Sequence, residues 1–118
     1  MQRNFAAYLQ DIIDSINEIE KFTSGINSKS TFIENIEKKR AVERDIEIIG
    51  EAVKKLPDSL RDLHPEIEWK KIAGVRDILA HGYFSIDDDI IWDIVQNRLT
   101  SLKEASTDLL RDQPGDPY

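Results

Sequence analysis

Residues 76–83 bring together three side chains whose chemistry suits an attack on a phosphodiester: Arg76, His81 and Tyr83. Arginine keeps its charge at physiological pH and can neutralise the charge that builds on phosphoryl oxygens. Histidine titrates near neutral pH, so it can take or give a proton. A tyrosine hydroxyl can hydrogen-bond a phosphate or be modified itself. Because the chain has only two histidines, His81 has little competition as an acid–base group.

The spacing within this stretch limits how its side chains meet. A five-residue step turns a helix by roughly 140°, so Arg76 and His81 reach one point only if the helix ends near His81. Asp77 shares the face of His81. It is expected either to orient the imidazole or to form a salt bridge. The bland alternative is that His81 is a helix C-terminal cation and Arg76 an ordinary surface charge.

The composition indicates one globular domain with an acidic surface. The 118 residues are 40% hydrophobic and 33% charged, and the formal net charge is −7. Such acidity disfavours broad, non-specific nucleic-acid binding, so any RNA contact needs a local basic patch. Lys70 and Lys71, together with Arg76, can begin such a patch. The alternative is that these side chains belong to solvated helix faces.

Several kinds of site and location are disfavoured by what the sequence lacks. There are no cysteines, which excludes disulfides, iron–sulfur clusters and thiolate zinc sites. No apolar run approaches the roughly 20 residues that span a membrane, and the N-terminus leads straight into an amphipathic pattern. We therefore expect a cytoplasmic protein.

Apolar residues recur at three- and four-residue steps through most of the chain, which predicts helices. The first covers about 4–22. The second is expected to start at Thr31, which has capping-box spacing to Glu34, and to continue for about 25 residues until Pro57 stops it.

The second half of the chain continues the helical pattern. A short helical stretch within 57–65 precedes a helix over 69–81, which Gly82 should end. The last main helix starts near 85–87. These elements predict an all-α bundle of four main helices plus a short one, with a domain over 1–112 and a flexible tail over 113–118.

Two groups of carboxylates could be read as metal-binding sites, but each group has a simpler explanation that needs no metal. Glu43, Glu47 and Glu51 form a row on the second helix, yet the Glu-x-x-His pattern of di-iron bundles is absent. A solvated or salt-bridged face is favoured. The aspartates at 87–89 suit the positive end of a helix dipole without an ion. No metal and no cofactor is expected.

Residues 76–83 resemble the signature of the HEPN superfamily of helical, nucleotide-binding domains. That signature is an arginine, an acidic or polar residue, three further residues, a histidine, any residue and a tyrosine. Three segments, 41–52, 69–75 and 91–93, are similar to HepT-like toxins in particular. The resemblance extends from the first helix to about Lys103, which is nearly the entire chain.

This resemblance implies a HEPN-type helical bundle that acts as a metal-independent ribonuclease. It implies a homodimer whose two motifs face each other across a cleft. In this family's pattern, Arg76 would hold the scissile phosphate, and His81 would be general base or acid in a reaction that leaves a 2′,3′-cyclic phosphate. Asp77 would support them, and Lys70 and Lys71 are possible RNA contacts.

The resemblance also implies a toxin–antitoxin pair. Tyr83 matches the tyrosine that receives AMP from a cognate minimal nucleotidyltransferase antitoxin of the MntA-like type. An adenylate there would block RNA entry by bulk and negative charge. Transfer RNA and messenger RNA both stay open as targets. The rival hypotheses are a non-catalytic HEPN module that docks a nucleotidyltransferase or nucleotide, which the acidity favours, and a scaffold dimer.

Overall fold

Helices connected by short loops build the described part of the chain, with no strand among them. A computed structural model describes residues 4–81 and 88–113, and for His81 it describes the backbone only. The helices are α1 (Phe5–Thr23), α2 (Lys29–Glu34), α3 (Ile36–Lys55), α4 (Asp58–Arg61), α5 (Trp69–His81), α6 (Asp88–Asp93) and, after a π-helical turn (Ile94–Arg98), α7 (Leu99–Arg111). The predicted all-α fold is confirmed. Within these ranges no helix is long and apolar enough to cross a membrane.

The core forms where α3 lies between α1 and α5 and where α7 packs on α1. The apolar stripe of α1 supplies Leu9, Ile12, Ile16 and Ile19, none of which is exposed at all. Each such side chain stabilises the fold by about 1.5–3 kcal/mol when it leaves water. The arrangement makes α3 the central element, so its side chains decide where α5 sits.

The expected single helix from Thr31 to Pro57 is wrong at its N-terminal end. Asn35 leaves helical geometry (φ −90°, ψ 85°) and separates α2 from α3. Its side chain accepts a hydrogen bond from the backbone N–H of Lys38 at 3.1 Å, which caps α3. Ser28, rather than Thr31, caps α2. Since Phe32 and Ile36 keep helical spacing across the break, the apolar pattern alone does not reveal it.

Pro57 ends α3 as predicted, and the loop that follows anchors the start of α5. The indole N–H of Trp69 donates to the backbone carbonyls of Arg61 (3.1 Å) and His64 (3.0 Å). Only 6% of Trp69 is exposed, so it is a core residue. This buried anchor fixes the N-terminus of α5, the helix that carries the motif.

The last long helical stretch contains a π-helical turn that the sequence did not predict. Asp93 accepts hydrogen bonds from Asn97 Nδ2 at 2.7 Å and from Arg98 Nε at 3.2 Å. A π-turn, with its i→i+5 geometry, brings residues five apart onto one face. The Asp93–Arg98 pair fits that geometry.

Candidate active site on α5

The structure confirms the predicted bounds of the helix that carries the motif, Trp69–His81. Arg76 and Asp77 lie in its last two turns, and His81 is its final residue. Among the predicted site residues, Tyr83 and the side chain of His81 lie outside the described residues, as does Gly82. The described geometry therefore concerns Arg76, Asp77 and the groups around them.

Two carboxylates hold the guanidinium of Arg76. Its Nη2 lies 2.6 Å from Oε2 of Glu51 on α3, and its Nη1 lies 3.1 Å from Oδ1 of Asp77. The side chain is 24% exposed. Its Nε is buried and donates no hydrogen bond. Arg76 is thus a half-buried cation whose two outer nitrogens face the surface with anions already beside them.

Asp77 joins Arg76 to the end of α3. Its Oδ1 accepts from Lys54 Nζ at 2.9 Å as well as from Arg76 Nη1. Hydrogen bonds from Lys54 first, and from Arg76 next, hold the pKa of Asp77 below its ordinary value. Asp77 therefore forms salt bridges with Lys54 and Arg76, and its role in orienting the His81 imidazole stays a prediction.

Arg76 lines an open cavity of about 210 Å³ between α1, α3 and α5. The remaining lining residues are Tyr8, Asp11, Arg44, Glu47, Ile48, Glu51 and Ala52. Three carboxylates thus face two guanidinium groups. The guanidinium of Arg76 attracts a phosphate and the carboxylates around it repel one, so the lining of the cavity as a whole carries a net negative charge.

Gly50 of α3 is a residue of this site that the residue types and spacing did not predict. A Cβ atom built on Gly50 would lie 2.1 Å from Cβ and 2.8 Å from Cγ of Arg76. Side chains cannot approach so closely, so α5 crosses α3 at this position only because Gly50 has none. A glycine inside a long helix costs about 1 kcal/mol relative to alanine, and this cost is a signal that the sequence carries at Gly50. Gly74 in α5 carries the same signal, which could equally indicate a close helix crossing there, but a Cβ built at Gly74 would meet nothing within 4 Å.

The described site lies inside a segment that matches a known family. The family model described as Ribonuclease HepT-like matches residues 12–109. The chain belongs to the HepT-like ribonuclease family. The matched segment includes α3 with Gly50 and Glu51, and α5 with Arg76 and His81. The predicted family is confirmed.

Relatives of this HepT-like chain carry ribonuclease names. A protein of Thermococcus cleftensis named "Probable ribonuclease HepT" is 42% identical over 103 residues, which are 87% of this chain and 93% of that protein. Two proteins of Methanocaldococcus jannaschii are each provisionally named an RNase. One is 35% identical over 98% of this chain and 94% of its own length. The other is 36% identical over 97% of this chain and 93% of its own length. No solved structure matches the chain.

The two predicted RNA-contacting lysines are separated from Arg76 in this HepT-like chain. Lys70 and Lys71 are both exposed. They line a hollow beside α4 that does not include Arg76. Lys71 Nζ also lies 3.7 Å from Glu68 Oε2. Within one protomer, the basic patch predicted from these three residues is not continuous.

Two of the three carboxylates in the predicted row on α3 form ion pairs, which agrees with the favoured interpretation of a salt-bridged face. Glu51 pairs with Arg76, and Glu47 Oε1 lies 3.4 Å from Arg44 Nη1. Of the aspartates near the start of α6, Asp88 pairs with Lys39 at 2.8 Å. In the part of the chain that the structure describes, no group of three carboxylate or imidazole side chains is placed to hold a metal ion.

Proposed function

We propose that this HepT-like chain is an RNA endonuclease toxin that cuts phosphodiesters with Arg76 and His81. The observation that carries the proposal is the position of Arg76: it lies one turn from the end of α5, faces an open cavity, and falls in the segment that matches a ribonuclease family. A fixed guanidinium beside an accessible surface is suited to binding a phosphate and to stabilising the charge of its transition state.

The proposed reaction uses the RNA 2′-hydroxyl as the nucleophile. Its oxygen forms a bond to phosphorus while the bond to the 5′-oxygen of the next nucleotide breaks. One proton leaves the 2′-hydroxyl and one is delivered to the leaving 5′-oxygen, and His81 is proposed to serve as base or acid in these transfers. The products are a 2′,3′-cyclic phosphate and a 5′-hydroxyl, and no metal takes part.

Cleavage of RNA by the purified chain in the presence of a chelator tests this proposal. We expect defined fragments with 2′,3′-cyclic phosphate ends, from transfer RNA or another cellular RNA, and growth arrest on expression in cells. His81→Ala should abolish both effects. Arg111→Ala, which removes an exposed arginine from α7, is the matched control and should cut like the unmodified chain. Cleavage by His81→Ala at a rate near that of the unmodified chain would refute the assignment.

We further propose that Tyr83 is the acceptor of AMP from a MntA-like nucleotidyltransferase antitoxin. The phenol oxygen would attack the α-phosphorus of ATP and displace pyrophosphate. The bulk and negative charge of the adenylate next to the site would then exclude RNA. Co-expression with the neighbouring gene should add AMP-sized increments to the intact mass. Tyr83→Phe should remove them, and increments that persist would place the modification elsewhere.

A non-catalytic binding module is the second candidate, and one observation favours it. Both outer nitrogens of Arg76 already contact carboxylates, those of Glu51 and Asp77, so the guanidinium is not a bare anion site. Such a module would bind the nucleotidyltransferase or a nucleotide without cutting RNA. The chelator experiment separates the two candidates, because the module predicts that no fragments form.

A further inference from the structure

Helices α3 and α5 approach each other closely at Arg76, the residue that carries the proposed phosphate contact. Gly50 is buried within α3, five residues before the end of the helix. A Cβ at Gly50 would meet Cβ of Arg76 at 2.1 Å, Cγ of Arg76 at 2.8 Å and the carbonyl oxygen of Ile72 at 3.2 Å. Carbon atoms in contact sit about 3.5–4.0 Å apart. The Cβ and Cγ atoms of Arg76 therefore pack directly against the backbone of Gly50.

We propose that Gly50 is the positioning residue for Arg76, an inference that rests on the proposed ribonuclease function. Two consecutive residues of α3 act on the arginine at its two ends. Gly50 sets how close Cβ comes to α3, and Glu51 holds Nη2 at 2.6 Å. Because Cβ and Cγ pack against Gly50 and the guanidinium is bound by Glu51, the Arg76 side chain is fixed in one orientation.

Comparison with a second glycine shows that the close contact at Gly50 depends on where α3 crosses α5 and is not shared by every helical glycine. Gly74 lies in α5, two residues before Arg76, and a Cβ built there would meet nothing within 4 Å. Gly74→Ala therefore adds a methyl group to α5, the helix of Arg76, without displacing that helix. It is the matched control for Gly50→Ala.

The test compares the two variants of the full chain by cleavage kinetics at a temperature at which circular dichroism shows both folded. A shift of about 1 Å in a catalytic group can lower the rate by about 100-fold. We expect Gly50→Ala to lower kcat/KM by about 10- to 100-fold and the melting temperature by about 5–15 °C. Gly74→Ala should keep the kinetics and raise the melting temperature by up to about 5 °C.

Salt dependence of RNA binding supplies a readout that mere destabilisation does not move. RNA binding is measured in the His81→Ala background so that RNA is not cut. For single-stranded RNA, each phosphate contact contributes about 0.7 to the slope of log K against log salt concentration. Gly50→Ala should reduce that slope by about one contact, whereas Gly74→Ala should leave it unchanged. A folded Gly50→Ala variant with unaltered kinetics and slope would overturn the inference.

A double variant keeps the inference testable if Gly50→Ala does not fold. Arg76→Gly removes both atoms that the new methyl group would meet at under 3 Å. We expect Gly50→Ala combined with Arg76→Gly to melt at about the same temperature as Arg76→Gly alone, and a clearly lower melting temperature in the double variant would show that the collision lies elsewhere. If the unmodified chain cuts no RNA, the ribonuclease proposal fails, but recovery of folding in this double variant still shows that Gly50 supports Arg76.

Discussion

Arg76 must exchange a carboxylate partner for a phosphate if it is to act on RNA. Glu51 binds its Nη2 at 2.6 Å and Asp77 its Nη1 at 3.1 Å, and each contact has two opposing effects. The carboxylates hold the guanidinium in place, which favours catalysis. They also repel the phosphate, which weakens binding.

Glu51→Gln separates these two effects because glutamine keeps the shape of the side chain and loses its charge. We expect KM for RNA to fall by about two- to fivefold, since a partly exposed ion pair is worth about 1 kcal/mol or less. We expect kcat to fall as well, because Arg76 is held less firmly. Steady-state kinetics measure both constants.

Glu47→Gln is the matched control for charge. Glu47 lines the same cavity but contacts Arg44 instead of Arg76. It should lower KM less and leave kcat unchanged. If Glu51→Gln changes neither constant, the Glu51 contact has no role in catalysis.

The sequence predicts which residues are candidates but not which of them meet. Arg76 and Asp77 were identified from residue type and spacing, and the structure finds them in contact. The contact of Arg76 with Glu51 spans 25 positions of the chain and depends on how α5 crosses α3. No local pattern encodes that crossing, although the glycine at its centre is visible in the sequence.

At the scale of elements, the interface of α1 and α3 contains a buried carboxyl that the proposed chemistry does not use. Asp45 is 3% exposed and faces Ser15 and Glu18 of α1, while Arg44 is the nearby cation on its own helix. Burial first, and the Glu18 carboxylate next, raise the pKa of Asp45 to about 7. The folded chain therefore holds a proton that the unfolded chain releases at lower pH.

This raised pKa predicts a fold that is more stable in mild acid. The stability from protonated Asp45 is fully present below about pH 4, the unfolded value, and is lost as pH rises through about 7. Asp45→Asn, which cannot ionise, should raise the melting temperature at pH 8 by about 2–5 °C and flatten its dependence on pH. Thermal melts from pH 5 to 8 measure this.

The exposed Asp62→Asn serves as the control for the pH experiment, and its melting curve should follow that of the unmodified chain. Parallel pH profiles for Asp45→Asn and the unmodified chain would show that Asp45 does not hold the extra proton.

Helix positions were predictable where one face is continuously apolar and a strong stop follows. The bounds of α5 and the end of α3 before Pro57 agree with prediction. The break at Asn35 was missed because its cause is a side chain that caps the next helix, while the apolar spacing runs on across it. The π-turn at Ile94–Arg98 was missed because three- and four-residue spacing does not distinguish it.

At the scale of the whole molecule, a single chain offers a poor surface for RNA. It is acidic, and its candidate RNA-binding lysines lie apart from Arg76. The net charge is −7, and Lys70 and Lys71 line a different hollow from Arg76. A homodimer that places two copies of these residues around one cleft is the proposed solution. Light scattering should give twice the 13.6 kDa of one chain. A monomer at concentrations that cut RNA would contradict the composite cleft.

The central claim is that Arg76 and His81 act together on one phosphorus, and the rate of RNA cleavage by single and double variants tests it most directly. Groups that act as a unit are non-additive when removed. We predict that Arg76→Ala and His81→Ala each lower kcat/KM by at least about 100-fold, and that the double variant is at most a few-fold slower than the worse single variant. Near-normal cleavage by either single variant would contradict the account.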